Sequence, residues 1–221
     1  MLVDRQKDLM RLCKDKGVYK NTAETGWHYL LASGHHTKKF FDFAPGAADA
    51  DFREIIGREI MQELSRLQLD HEVDVILTPA LGGMLICSTL QHLFYGKKPL
   101  LFYAEKQANG TLSLKRNFDL TEHHRVLAFD DVYTTGRSLE LLRKICDERG
   151  ALVVTQGAVV NRNPRLDQMK PQALAIPNIF LIHYPIEDEF LPEACPACMA
   201  GIPLEKDGVI VDNEGKPLES G

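Results

Sequence analysis

From residue 50 onward the apolar positions follow two rhythms in turn. Phe52, Ile55, Ile56, Ile60, Leu64 and Leu67 recur at the 3.6-residue spacing of an amphipathic helix. Short apolar runs then follow at 73–77, 99–103, 126–129 and 152–160. Each is too short for a helix and apolar enough for a strand buried on both faces. Between them lie helical patterns, one from Gly83 to about Phe94 and one from Ser138, a good N-cap residue, to Arg149. Gly150 ends the latter, as glycine commonly does. A further helix is expected over 3–16, with Val3, Leu9, Met10 and Cys13 on one stripe, and a last strand over 173–184. The alternation predicts an α/β fold: a mainly parallel twisted sheet with helices on both faces. Ligand sites of such sheets gather at the carboxyl ends of the strands. The chain divides into an N-terminal segment (1–47), an α/β core (48–185) and a tail (186–221).

The flanking segments have a different texture. Around Ser33-Gly34-His35-His36 two aromatic-rich stretches read as a hairpin. His28, His35 and His36 lie close together there, so a metal has to be weighed. Adjacent His35 and His36 point in different directions and no Cys or Glu is near, so a solvated turn is the favoured reading. The tail carries Cys195-Pro196-Ala197-Cys198, which supplies half a zinc site. His183 falls outside the usual knuckle spacing, and completion across a dimer is the remaining route to a metal. No metal ligand is assigned.

Composition narrows the function classes. The 221 residues carry a net charge of −5, which disfavours a broad nucleic-acid-binding surface. No apolar run reaches the length of a membrane span, and the charged N-terminus does not suit a signal peptide. The odd count of 5 cysteines, three of them among apolar neighbours, fits a reducing cytoplasm.

The candidate chemistry centres on residues 126–138, VLAFDDVYTTGRS. A buried strand delivers Asp130 and Asp131, and a hydroxyl- and glycine-rich turn then leads into a helix. Backbone N–H groups of such a turn suit a phosphate, and the carboxylates can accept from sugar hydroxyls. The nucleotide-binding G-x-x-x-x-G-K-[ST] pattern is absent. These residues resemble the phosphoribosyl-pyrophosphate (PRPP) motif of the type I phosphoribosyltransferases. The resemblance implies that Asp130 and Asp131 hold the ribose hydroxyls and that Thr134, Thr135, Gly136, Arg137 and Ser138 wrap the 5′-phosphate. It also implies that Ala80, Leu81, Gly82 and Gly83, after the strand at 73–77, bind pyrophosphate.

A second resemblance concerns Leu30-Leu31-Ala32-Ser33-Gly34, Thr37 and Phe40-Phe41-Asp42. It is to the hood of orotate phosphoribosyltransferases, and implies that Phe40 and Phe41 face the base, with Thr134 also among the base-binding residues. Arg162, after the strand at 152–160, matches the position of an arginine near orotate, where a guanidinium can fork onto a carboxylate. The stretch 104–118 reads either as a solvated hairpin or as a long structureless lid supplying cations to pyrophosphate. Its AEK…LKRNF pattern resembles the loop of one orotate branch, which makes Lys106, Lys115 and Arg116 the candidate cations. The tail's C-P-x-C-x-x-G-x-P pattern resembles the same branch. The resemblance covers roughly 26–204 and implies a transferase using PRPP, orotate and Mg²⁺ as a homodimer, without nucleic acid or membrane. A transferase for another base, or a PRPP-sensing regulator, remains open at this point.

Overall fold

The computed structural model describes residues 2–31, 33–115, 118–164, 175–206, 208–212 and 216–218. Helix α1 (Leu2–Asp15) buries Leu9 and Cys13. Four short strands follow, β1 (Tyr19–Asn21), β2 (His28–Leu30), β3 (His36–Thr37) and β4 (Lys39–Phe41), with the single turn α2 (Thr22–Thr25) after β1. Helix α3 (Phe43–Ala48) leads into α4 (Ala50–Arg66), whose N-cap Asp49 accepts from the Phe52 N–H at 2.8 Å. The core continues through β5 (Val75–Pro79), α5 (Met84–Leu93), β6 (Leu100–Lys106), β7 (Leu112–Leu114), β8 (Arg125–Tyr133), α6 (Arg137–Arg149), β9 (Leu152–Asn161) and β10 (Asn178–His183). The tail supplies β11 (Glu189–Phe190), α7 (Pro196–Met199), β12 (Leu204–Lys206) and β13 (Val209–Val211).

The main sheet has the order β10-β9-β8-β5-β6-β7, parallel except where β7 turns back on β6. Its interior strands are buried on both faces, as their near-continuous apolar runs require. Ile76, Leu127 and Phe129 pack into one core with α1, α4 and α5, while Val75, Leu77, Val126 and Ala128 pack into the other with α6. The chain runs outward from β5 to β6, then crosses back to β8 on the other side. The carboxyl ends of β5 and β8 therefore flank the point where strand order reverses, the customary ligand crevice of such sheets.

A second sheet, β11-β3-β2-β12-β13, joins the N-terminal segment to the tail. Leu204 stands opposite His28 and Phe190 opposite His36. β1 and β4 form a separate antiparallel pair.

Four expectations are corrected here. Of the two readings of 104–118, the described residues form the hairpin and not a structureless lid: β6 runs on to Lys106 and pairs with β7, Glu105 facing Ser113. The Asn109-Gly110 turn explains this, since Gly110 adopts φ +76° and Asn-Gly is a strong hairpin signal. Helix α6 starts at Arg137 with Gly136 at its N-cap, so Ser138 lies inside the helix and donates to Asp130. His28 and His36 do not belong to a solvated turn, because both are buried. The last core strand begins at Asn178; positions 165–174 of the expected strand and its approach lie outside the described residues.

Candidate active site

Strand β8 carries its acids further inward than a surfacing strand end would, because it continues to Tyr133. Asp130 is only 7% exposed. Its Oδ1 accepts from the Asp131 N–H at 2.9 Å, and Asp131 Oδ1 accepts from the Val132 N–H at 2.7 Å. Burial pushes both carboxyls above the usual carboxylate range, and the neighbouring Asp131 charge raises Asp130 further. The pair is thus a poorly solvated set of acceptors, suited to hydroxyl donors brought by a ligand.

The loop after β5 is fitted to this pair. A Cβ placed on Gly82 would lie 2.3 Å from Asp131 Oδ2, and one on Gly83 would lie 2.8 Å from Thr78 Oγ1. Glycine is required there because the Asp131 carboxylate and the Thr78 hydroxyl occupy the space of a side chain. Ala80 anchors the loop by donating its N–H to Ala104 O at 2.9 Å, and Leu81 projects outward, 74% exposed.

The loop after β8 closes the other side. Asp130, Val132 to Gly136, Arg137, Ser138 and Leu139 line a cavity of about 50 Å³, several times what one water needs. Gly136 turns the chain at φ +81°, and a Cβ there would stand 2.6 Å from the Tyr133 hydroxyl. The side chains of Thr134, Thr135 and Arg137 are exposed around the mouth. Arg137 opens α6, so the cavity adjoins the N-terminus of a 13-residue helix and its unpaired N–H groups. The hairpin tip reaches the same place: a Cβ on Gly110 would lie 3.5 Å from Arg137 Nη2.

The remaining candidates sit as follows. Lys106, at the end of β6, is exposed. Lys115 pairs with Glu105 at 3.6 Å. Arg116 lies outside the described residues. Phe40 is half-buried and stacks on Tyr29 at 5.4 Å, whereas Phe41 is a core ring against Tyr19 and Tyr184. The Phe41 side chain therefore faces the core. Arg162 is buried at 4% exposure, with Nη2 donating to Glu189 at 3.2 Å and Nε without a partner among the described residues. Its burial lowers the guanidinium pKa, which Glu189 partly offsets.

Sequence reasoning missed Glu189 and Tyr133. Glu189 reaches Arg162 only because β11 pairs with β3, a contact between distant segments with no local signature. Tyr133 was not readable from strand alternation, which puts it with Phe129; instead Val132 packs on the Phe129 side and Tyr133 on the side of Ala128.

No family model matches the chain. The fold is that of the type I phosphoribosyltransferases. A phosphoribosyltransferase from Corynebacterium diphtheriae superposes with TM-score 0.61 at 20% identity, covering 81% of this chain and 96% of that one. Orotate phosphoribosyltransferase of Mycobacterium tuberculosis, solved with PRPP, gives 0.56 over the same shares, also at 20% identity. The orotate phosphoribosyltransferase of Thermotoga maritima is 30% identical over 182 residues, 82% of this chain and 89% of that protein. That of Thermus thermophilus is 30% identical over 179 residues, 81% and 91%. The chain belongs to the orotate phosphoribosyltransferase family.

Proposed function

We propose that this chain transfers the 5-phosphoribosyl group of PRPP to N1 of orotate, giving orotidine 5′-monophosphate and pyrophosphate in pyrimidine biosynthesis. The observation that carries the reading is the acid pair seated against Gly82, beside the cavity that Thr134–Ser138 wrap. Asp130 and Asp131 accept from the ribose 2′- and 3′-hydroxyls. Backbone N–H groups at Thr135–Ser138 hold the 5′-phosphate. The C1–O bond to pyrophosphate breaks, the C1–N1 bond forms, and the N1 proton leaves to a pyrophosphate oxygen or water.

No side-chain nucleophile is needed for this step. Catalysis rests on positioning and on neutralising the departing pyrophosphate, with Lys106 and Lys115 the described cations of the overlying hairpin. Mg²⁺ suits the hard oxygen donors present, Asp130, Asp131 and the phosphate oxygens of the substrate, and would supply charge neutralisation to the leaving group. Arg162 favours orotate among bases: its buried guanidinium, only half satisfied by Glu189, can bind a second carboxylate. Orotate brings that carboxylate, and the backbone of Phe40 and Phe41 flanks its ring. The working form is a homodimer, without nucleic acid or membrane; no helix among the described residues is long and apolar enough to cross a bilayer.

Pyrophosphate release with PRPP and Mg²⁺, offering orotate, uracil, adenine, hypoxanthine and guanine in parallel, tests the reading. Turnover with orotate alone supports it. Turnover with a purine instead would overturn the base assignment, and PRPP binding without turnover would overturn the transferase reading.

A further inference from the structure

The buried histidines of the hood and the two tail cysteines converge on one point. His28 Nε2 lies 3.1 Å from His36 Nδ1, Cys198 Sγ lies 3.2 Å from His36 Nδ1 and 3.3 Å from His28 Nε2, and Cys195 completes a group whose ligand atoms all fall within 4.8 Å of one another. We propose that His28, His36, Cys195 and Cys198 form a structural zinc(II) site that clips the C-terminal tail to the N-terminal hood.

The separations suit a tetrahedral ion. Zinc bonds of about 2.0–2.1 Å to nitrogen and about 2.3 Å to sulfur place neighbouring ligand atoms roughly 3.3–3.8 Å apart. The three observed contacts are slightly shorter than this, so the cage needs only to breathe outward to admit the ion.

Tautomer and burial point the same way. His28 Nδ1 faces Pro203 O at 2.8 Å, and a carbonyl can only accept, so that nitrogen carries the proton. The Nε2 lone pair is therefore turned toward His36 and Cys198. A ring nitrogen held in this way by a backbone carbonyl is the usual support of a metal-bound imidazole. His28 is 0% exposed, Cys195 1% and His36 6%, so water does not solvate these groups. Hydrogen bonding alone serves the cluster poorly, since thiols are weak donors and a proton on His36 Nδ1 could serve only one of its two close neighbours, His28 Nε2 and Cys198 Sγ, well. A cation takes all four. Binding releases two thiol protons, and two thiolates then balance Zn²⁺, leaving a neutral site that is inexpensive to bury.

The chain geometry agrees. Cys195 and Cys198 flank the first turn of α7, where Met199 N–H donates to Cys195 O at 3.1 Å and Gly201 N–H to Cys198 O at 3.0 Å, forming the tight C-x-x-C turn of a knuckle. The histidines come from the adjacent antiparallel strands β2 and β3. Mixed sulfur and nitrogen donors in a tetrahedral set select zinc over harder ions.

The test is metal analysis of the full-length protein purified without chelator, with cobalt(II) reconstitution of the stripped, reduced protein as a second readout. The expected result is about one zinc per chain, falling at least tenfold in the Cys195→Ser/Cys198→Ser double variant. If that variant does not fold, the wild-type cobalt protein decides: intense tetrahedral visible bands with thiolate charge transfer support the site. Less than about 0.1 zinc per chain, both as purified and after incubation with zinc under reducing conditions, would overturn the proposal. So would iron in zinc's place, or a Cys195–Cys198 disulfide in freshly isolated protein. These readouts need no turnover, so failure of the transferase reading leaves them intact.

Discussion

Gly82→Ala isolates the contact that links the two halves of the proposed PRPP site. The new Cβ would stand 2.3 Å from Asp131 Oδ2 and 2.8 Å from Cγ, while ordinary contact begins near 3.4 Å. One partner must therefore move by about 1 Å. The Gly82 backbone is part of an anchored loop, and Asp131 Oδ1 is tied to the Val132 N–H, so the carboxylate turns about that tether and carries Oδ2 away. Folding should lose only about 1–3 kcal/mol, the ordinary cost of overpacking. A displacement of that size at a reacting centre costs about 10²-fold in rate, or roughly 2.7 kcal/mol of transition-state stabilisation.

Gly96→Ala is the control. Gly96 lies in the turn between α5 and β6, at the opposite end of the sheet, with φ +71° and nothing within 4 Å of where a Cβ would stand, so alanine there costs about 1–2 kcal/mol through backbone strain alone. Denaturant melts should show comparable losses for the two variants. Initial rates should show kcat/KM for PRPP falling about 10²-fold in Gly82→Ala and unchanged in Gly96→Ala. A Gly82→Ala enzyme within twofold of wild type would refute the idea that Asp131's position matters to PRPP.

Further outcomes follow from the same geometry. Arg162→Ala should raise the orotate KM about 10- to 100-fold, the worth of a charged hydrogen bond, and leave the PRPP KM nearly unchanged; equal rises in both would make Arg162 a prop for the hood. Lys106→Ala should lower kcat/KM for PRPP about tenfold, and Lys115→Ala by less, since Lys115 is already engaged by Glu105. Asp130→Asn should abolish turnover yet stabilise the unliganded fold at neutral pH. The folded carboxyl titrates above its unfolded value of about 3.9, so the stability it confers is full below that pH and is lost as pH rises through the folded value. The melting-temperature gain over wild type should therefore grow from about pH 4 to pH 8; a constant or reversed difference would sink this account.

The parts of the molecule legible in sequence are those whose physics is local. Residues 126–138 hold strand, acids, turn and helix start contiguously, so neighbouring positions already state the chemistry. The two-sided burial of β5, β8 and β9 follows from their apolar runs. Even the hairpin at 104–118 carried its own signal in Asn109-Gly110, although length argued for a structureless lid. What stayed hidden depends on which strands pair. Spacing says nothing of Glu189 meeting Arg162, because that contact exists only once β11 lies against β3.

The cysteine–histidine cluster shows the same limit more sharply. Each half, read alone, favours a mundane account: two histidines near a turn, and two cysteines short of a full ligand set. Pairing of β12 with β2 brings positions some 170 residues apart into one cage, as the His28–Cys198 contact records. The same pairing builds the sheet from which β3 leads, through Lys38, to β4 and its Phe40 and Phe41. Closing so long a loop is entropically costly, and the strands that meet there, β2, β3, β11 and β12, are only two or three residues long. A bound ion at that crossing would stabilise the tail where it meets β2 and β3.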